Sequence, residues 1–272
     1  HSGVDIHKHR GNAIRILARV LDHIQRSRPI RLLSVTGGTA HNAIPRSAQA
    51  VFAAPQGAGS ELSQIVDDSA DHIRMELART DPGVSIQLAE AQPQSRQAVD
   101  IASSRKMIWL LVGLPAGVAD MSPDLEGFVE ISNNLAQVRY KSGRFKISTN
   151  QRSSTMSRLE ELTERIEAVA LLAGAQPESG EPYTAWQPNL DSQLLKTSRE
   201  VFLQTMGREP DVKAIHAGLE CGIIGSRVPG MDMISLGPTI QNPHSPSEQL
   251  NIPSVEHTWQ FLAALLQRLG AV

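Results

Sequence analysis

The 272 residues carry 26 lysines and arginines against 28 aspartates and glutamates, a formal net charge of −2, with 40% hydrophobic and 20% charged content. That balance predicts a globular protein with a sizeable core and excludes the basic excess of a dedicated nucleic-acid binder. A single cysteine, Cys221, excludes an intrachain disulfide and suits a reducing cytoplasm, and the longest apolar run, 107–119, is too short for a membrane span and contains Pro115.

The chain opens HSGVDIHKHRGNA, without an initiator methionine or a charged-then-apolar leader. We expect no secretory signal; the opening fits a mature N-terminus or a piece of a longer protein. Residues 12–25 set Ile14, Leu17, Leu21 and Ile24 on one helical face, with Asn12 or Gly11 as its cap. Residues 30–38 read as a strand ending in paired glycines, and 47–55 as a short strand stopped by Pro55. Ser60 opens an amphipathic helix over 60–79, and the alternation of 83–91 predicts another strand. A helix over 96–112 precedes a loop holding Pro115 and Pro123. Residues 134–152 give the clearest hairpin, two alternating runs joined at Ser142-Gly143. An amphipathic helix over 157–174 ends at Gly174. Strands interleaved with two or three helices predict an α+β sandwich, one sheet with helices on one face.

Residues 175–188, rich in proline and small polar residues, mark a crossing between domains. Beyond it a helix over 191–206, strands over 212–218 and 232–238, and a helix over 254–269 alternate as in a parallel α/β sheet. Three or four elements are too few to close a doubly wound sheet. This block therefore reads as half of a domain.

Chemistry-bearing residues gather near its predicted strand ends. His244 lies in NPHSP, a loop fixed by Pro243 and Pro246, which pre-orients an imidazole for a metal; the alternative is a loop histidine bonded to a backbone carbonyl. His216, in KAIHAGLECG, ends a second predicted strand, where Gly218 and Gly222 let backbone approach a ligand. Glu220 between them could bind an ammonium group or serve as a polar rim residue. His23, His72 and His257 fall in helices and read as surface or satisfied residues. There is no His-x-Asp, His-Glu-x-x-His, Cys-x-x-Cys, Gly-x-Ser-x-Gly or Gly-x-Gly-x-x-Gly. Spacing alone gives no complete active site.

In order along the chain, HSGVDIHKHRGNA, GGTAHNAIPRSA, AWQPN, IHAGLECG, MDMISLGPTIQNPHSPSEQL and the closing helix resemble the aminoacyl-histidine dipeptidases (peptidase D), within the co-catalytic zinc peptidases. The resemblance implies an α/β fold class in two parts: a ferredoxin-like α+β lid and dimerisation-type domain over 1–176, then the C-terminal part of a zinc-peptidase catalytic domain over 177–272. It implies metal-dependent hydrolysis of dipeptides of the Xaa-His type with broad specificity, by a cytoplasmic enzyme holding two zinc ions. The family's other metal ligands and its general-base glutamate fall upstream of residue 1, so the chain by itself is expected to be inactive. By position, His244 matches the last zinc ligand, His1 the lid histidine that stabilises the oxyanion, and Asn42 and Arg152 lid residues that hold the substrate. His216 and Glu220 are further candidates for substrate contact. Expected partners are a dipeptide and a second copy through the lid, with no nucleic acid and no membrane. The rival reading is a non-catalytic dimerisation or peptide-binding module derived from such a peptidase.

Overall fold

In the computed structural model of the chain, the residues described are 1–92, 97–123, 125–141, 143–180, 186, 189, 191–213, 220–241 and 248–271. The chain divides into two compact units, His1–Glu181 with Ile215–Ala217, and Pro182–Ala214 with Gly218–Val272. No helix among the described residues is long and apolar enough to cross a membrane.

The first unit begins with a short 3-10 turn at Ile6–Lys8 and then helix α1, Ala13–Ser27. Asn12 caps α1, its side-chain oxygen accepting from the amides of Ile14 and Arg15 while its Nδ2 donates to Leu135 O. One residue thus starts a helix and ties it to the sheet. Strands β1 (Arg31–Gly37) and β2 (Ala48–Ala53) pair antiparallel and lead into helix α2, Gly59–Glu76. Helix α3, Ile101–Gly113, is followed by β3 (Gly117–Met121), β4 (Val129–Lys141), β5 (Arg144–Ser153) and helix α4, Met156–Leu172.

Strand β4 organises the sheet. β5 pairs along one of its edges, while the other is shared end to end by β3, opposite Val129–Asn133, and by β1, where Thr36 faces Arg139 and Gly37 faces Val138. Alternation then sorts the side chains. Ile131, Leu135, Val138, Phe145 and Ile147 turn to the face packed by Ile14, Leu21, Ile24, Ile108, Leu111 and Leu162 from α1, α3 and α4. The other face carries Ser132, Asn134, Asn150 and Arg152, in two directly opposed pairs. A bulge at Ala136, between the Leu135 and Gln137 pairings, lets the alternation slip by one and keeps both ends of β4 on the core.

Two elements of this unit differ from the sequence reading. The helix expected from residue 96 begins at Ile101, because Asp100 takes the cap position and accepts from Ser103 N, while Val99 N bonds Leu32 O in extended backbone. Residues 83–91 do alternate, with Val84 and Ile86 packed on the core, yet they join no ladder. Their alternation records burial on one side rather than strand pairing.

The second unit contains helices α5 (Gln193–Met206), α6 (Glu220–Arg227) and α7 (Ile252–Gly270), with a two-residue antiparallel ladder of β6 (Ile240–Gln241) and β7 (Gln249–Leu250). Val201, Phe261 and Leu265 are buried where α5 meets α7, with Phe202 edge-on to Phe261 at 5.2 Å. Ser192 caps α5, and Gly207, at φ 69°, closes it. The strand expected over 232–238 pairs with nothing among the described residues, although Ile234 reaches the small core. Of the strand expected over 212–218, residues 212–213 join no ladder and the rest lie outside the described residues. An apolar run such as 232–238 is built for neighbours on both edges, and among the described residues none pairs with it. Along α7, Ile252, Val255, Trp259 and Leu266 form an exposed stripe, with Ile252 at 78% and Trp259 at 68% exposure.

Candidate functional site

The hairpin β4–β5 carries an unusual polar run. Ser132, Asn133 and Asn134 are consecutive, buried to within 2% of complete, and sit mid-strand, where asparagine is disfavoured. Asn133 serves the core face: its Nδ2 donates to Pro115 O at 2.5 Å and its Oδ1 accepts from Gln151 Nε2 at 3.1 Å. Asn134 serves the other face. Its Nδ2 donates to the carbonyls of both His41 and Ala43, at 3.2 and 2.8 Å, and its buried Oδ1 has no partner among the described residues. Both amide hydrogens are therefore spent on holding the loop between β1 and β2.

That loop presents Asn42. Its backbone carbonyl accepts from Ser2 N at 2.8 Å, and its side-chain amide makes no hydrogen bond among the described residues. The root of the loop is fixed by Arg139, whose terminal nitrogens donate to the carbonyls of Gly37, Gly38 and Val138 at 2.6–2.9 Å. A cleft of about 550 Å³ lies beside this root, lined among others by Thr36, Thr39, Gln49 and Arg139. His1 lies against the same loop through its neighbour Ser2, and its Nδ1 accepts from the amides of Gly3 and Val4 at 3.1 and 3.3 Å. That pairing sets the ring proton on Nε2.

Arg152 stands directly across from Ser132, one pair along from Asn134 and Asn150. Its Nε donates to Asn150 Oδ1 at 3.1 Å, and its terminal nitrogens make no bond among the described residues. Burial holds its guanidinium pKa below the usual value, and no carboxylate among the described residues pairs with it. A half-buried, unpaired cation carries a desolvation cost that an incoming anion offsets. Through Asn134, whose opposite number is Asn150, the hairpin brings Arg152 and the Asn42 loop to one face of the sheet.

Three further candidates remain. Glu220 is the exposed first residue of α6, in the second unit. His216 and His244 lie outside the described residues. Among the described residues no group of three histidine, cysteine, aspartate or glutamate side chains could hold a metal ion. The residues that sequence reasoning passed over are Asn134 and Asn150. Their signal was present: consecutive polar residues inside an otherwise alternating strand break a local rule, as functional positions often do.

Comparison with known proteins bears on this geometry. The peptidase dimerisation domain family matches residues 1–81. The cytosol non-specific dipeptidase of Escherichia coli (strain K12) is 35% identical over 271 residues, 100% of this chain and 56% of that protein. A crystal structure of aminoacylhistidine dipeptidase from Vibrio alginolyticus matches with a TM-score of 0.88 at 34% identity, covering 98% of this chain and 55% of that one. The chain thus spans a little over half the length of either relative.

Proposed function

On the premise that this chain is related along its whole length to dipeptidases of the aminoacyl-histidine type, we propose that it is the substrate-gripping part of a metal-dependent dipeptidase. The observation that carries this reading is Arg152, half-buried and without an acid partner among the described residues, on the face that also holds the Asn42 loop. Guanidinium is planar, and two free terminal nitrogens pair bidentately with a carboxylate. A dipeptide places its carboxylate one residue from the scissile bond, so an arginine at that distance fixes where the bond lies. Asn42 contributes an uncommitted amide for the peptide backbone. The Nε2 proton of His1 is the type of donor that an oxyanion requires.

In this proposal residues 1–176 form the lid, through which two copies pair, and residues 177–272 belong to a catalytic α/β domain. His216 and Glu220 contact substrate and His244 ligates metal. Zinc would supply the Lewis acid and the activated water. The described residues do not provide a donor set for it, and in this proposal its remaining ligands come from sequence outside these 272 residues. The exposed stripe of α7 and the unpaired apolar segment 232–238 support such an arrangement, since both suit burial against more of an α/β sheet. Substrates are dipeptides, with Xaa-His among a broad range, and the setting is the cytoplasm.

Metal content and dipeptide hydrolysis, measured on the 272-residue chain and on the complete protein, test this. The chain alone is expected to hold no stoichiometric zinc and to cleave nothing, and the complete protein to do both. A zinc-replete, active 272-residue chain would overturn the assignment of ligands elsewhere. A complete protein that binds dipeptides without cleaving them would support the peptide-binding module instead. Limited proteolysis is expected to cut first within 175–188, and early cuts scattered through 12–80 would refute that boundary.

A further inference from the structure

We propose that Asn150 is a positioning residue for Arg152, one that holds the guanidinium through a neutral amide so that its whole charge stays available to a ligand carboxylate. The inference rests on the carboxylate-anchoring role of Arg152 proposed above. Asn150 Oδ1 accepts from Arg152 Nε at 3.1 Å, which fixes the side of the guanidinium and leaves its two-pronged edge uncommitted. The alternation of β5 places both side chains on the face away from the core, i and i+2 on one strand.

The chemistry of position 150 is the informative part. Aspartate has the same shape, would accept the same bond, and would bind an arginine more strongly than an amide does. It would also neutralise the cation. The neighbours on this face follow the same pattern. Ser132 lies directly across from Arg152, and Asn134 across from Asn150. Glu130, on the same face of β4, has its Oε1 accepting from the hydroxyl of Thr155. No ion pair to Arg152 forms among the described residues. A purely structural arginine in a half-buried strand would be better served by an acid. A sequence that sets a serine and two amides against it, with the Glu130 carboxylate bonded to Thr155 instead, keeps it oriented and its charge available.

The test uses the complete protein and pairs of free and C-amidated dipeptides, with kcat and KM measured separately and thermal unfolding alongside. Asn150→Asp is expected to lower the preference for free over amidated dipeptides by about tenfold or more, chiefly through KM, while unfolding at no lower temperature than the parent. Asn150→Ala, which frees the Nε edge, is expected to lower the preference by a few-fold. An Asn150→Asp protein with the parent's preference overturns the proposal. Should that variant fail to fold, Asn150→Ala decides, and an unchanged preference there overturns it equally. The two readings separate at Arg152→Ala. If that variant keeps the preference, the anchoring role itself fails; if it loses the preference and Asn150→Asp does not, only the positioning role fails.

Discussion

Replacing Arg152 by alanine in the complete protein is expected to cost about 2–5 kcal/mol in kcat/KM on free dipeptides, on the order of thirty- to several-thousand-fold. C-amidated dipeptides should lose far less, because they offer no carboxylate to the missing fork. The size follows from the setting. Arg152 is half-buried on a sheet face, its charge already disfavoured by burial and held by one neutral bond. A carboxylate bound there would itself be largely desolvated, so removing the arginine leaves a buried anion unpaired. Arg152→Lys retains charge but loses the planar pair of donors, and should fall between the two. Steady-state kinetics on matched substrates measures this, and an equal loss on free and amidated dipeptides would exclude a carboxylate clamp.

The largest stability effect is expected at Gly38. This glycine sits at φ 70°, and a Cβ built on it would lie 1.9 Å from Ala136 O, the carbonyl of the bulged residue in β4. Two costs combine in Gly38→Ala: the left-handed backbone, which disfavours any side chain, and a collision with backbone that has no freedom to rotate aside. About 2–4 kcal/mol of destabilisation should result, read as a drop in the denaturant midpoint. The damage would also reach the site, since Gly38 is the first residue after β1 and Arg139 holds its carbonyl at 2.6 Å. Gly57→Ala serves as the control: φ is 82° there, but nothing lies within 4 Å, so only the backbone cost remains. If Gly38→Ala is no worse than Gly57→Ala, the close approach does not constrain the fold.

Much of the first unit was legible from the residues. Asn12 did cap α1, Gly174 did follow α4 at φ 76°, and the hairpin joined at 142–143 stands in the fold between Lys141 and Arg144. These signals are local, set by capping, turn chemistry and alternation within a few residues. Residues 83–91 misled because burial on one side imitates the period of a strand. The second unit was less legible for a related reason: an apolar run such as 232–238 encodes a need for neighbours without saying where they come from. Asn42 and Arg152 were singled out through family resemblance alone, 110 positions apart, and no spacing rule links them. Their connection runs through Asn134 and Asn150, and pairing across strands is not written in the order of residues.

The long strand β4 carries a consequence for the order of events during folding. Its partner β5 begins only three positions beyond the end of β4, so that hairpin closes on the scale of microseconds. Its contact with β1 instead joins residues 102 apart, at Gly37 and Arg139, and gains only two register pairs. Such a closure is entropically late. The loop bearing Asn42 depends on it twice, through Arg139 at its root and Asn134 at its tip. The proposed grip on a ligand is therefore expected to be among the last features to mature in a nascent chain and among the first to loosen in a stressed one. Loss of binding should precede loss of helix signal as denaturant rises.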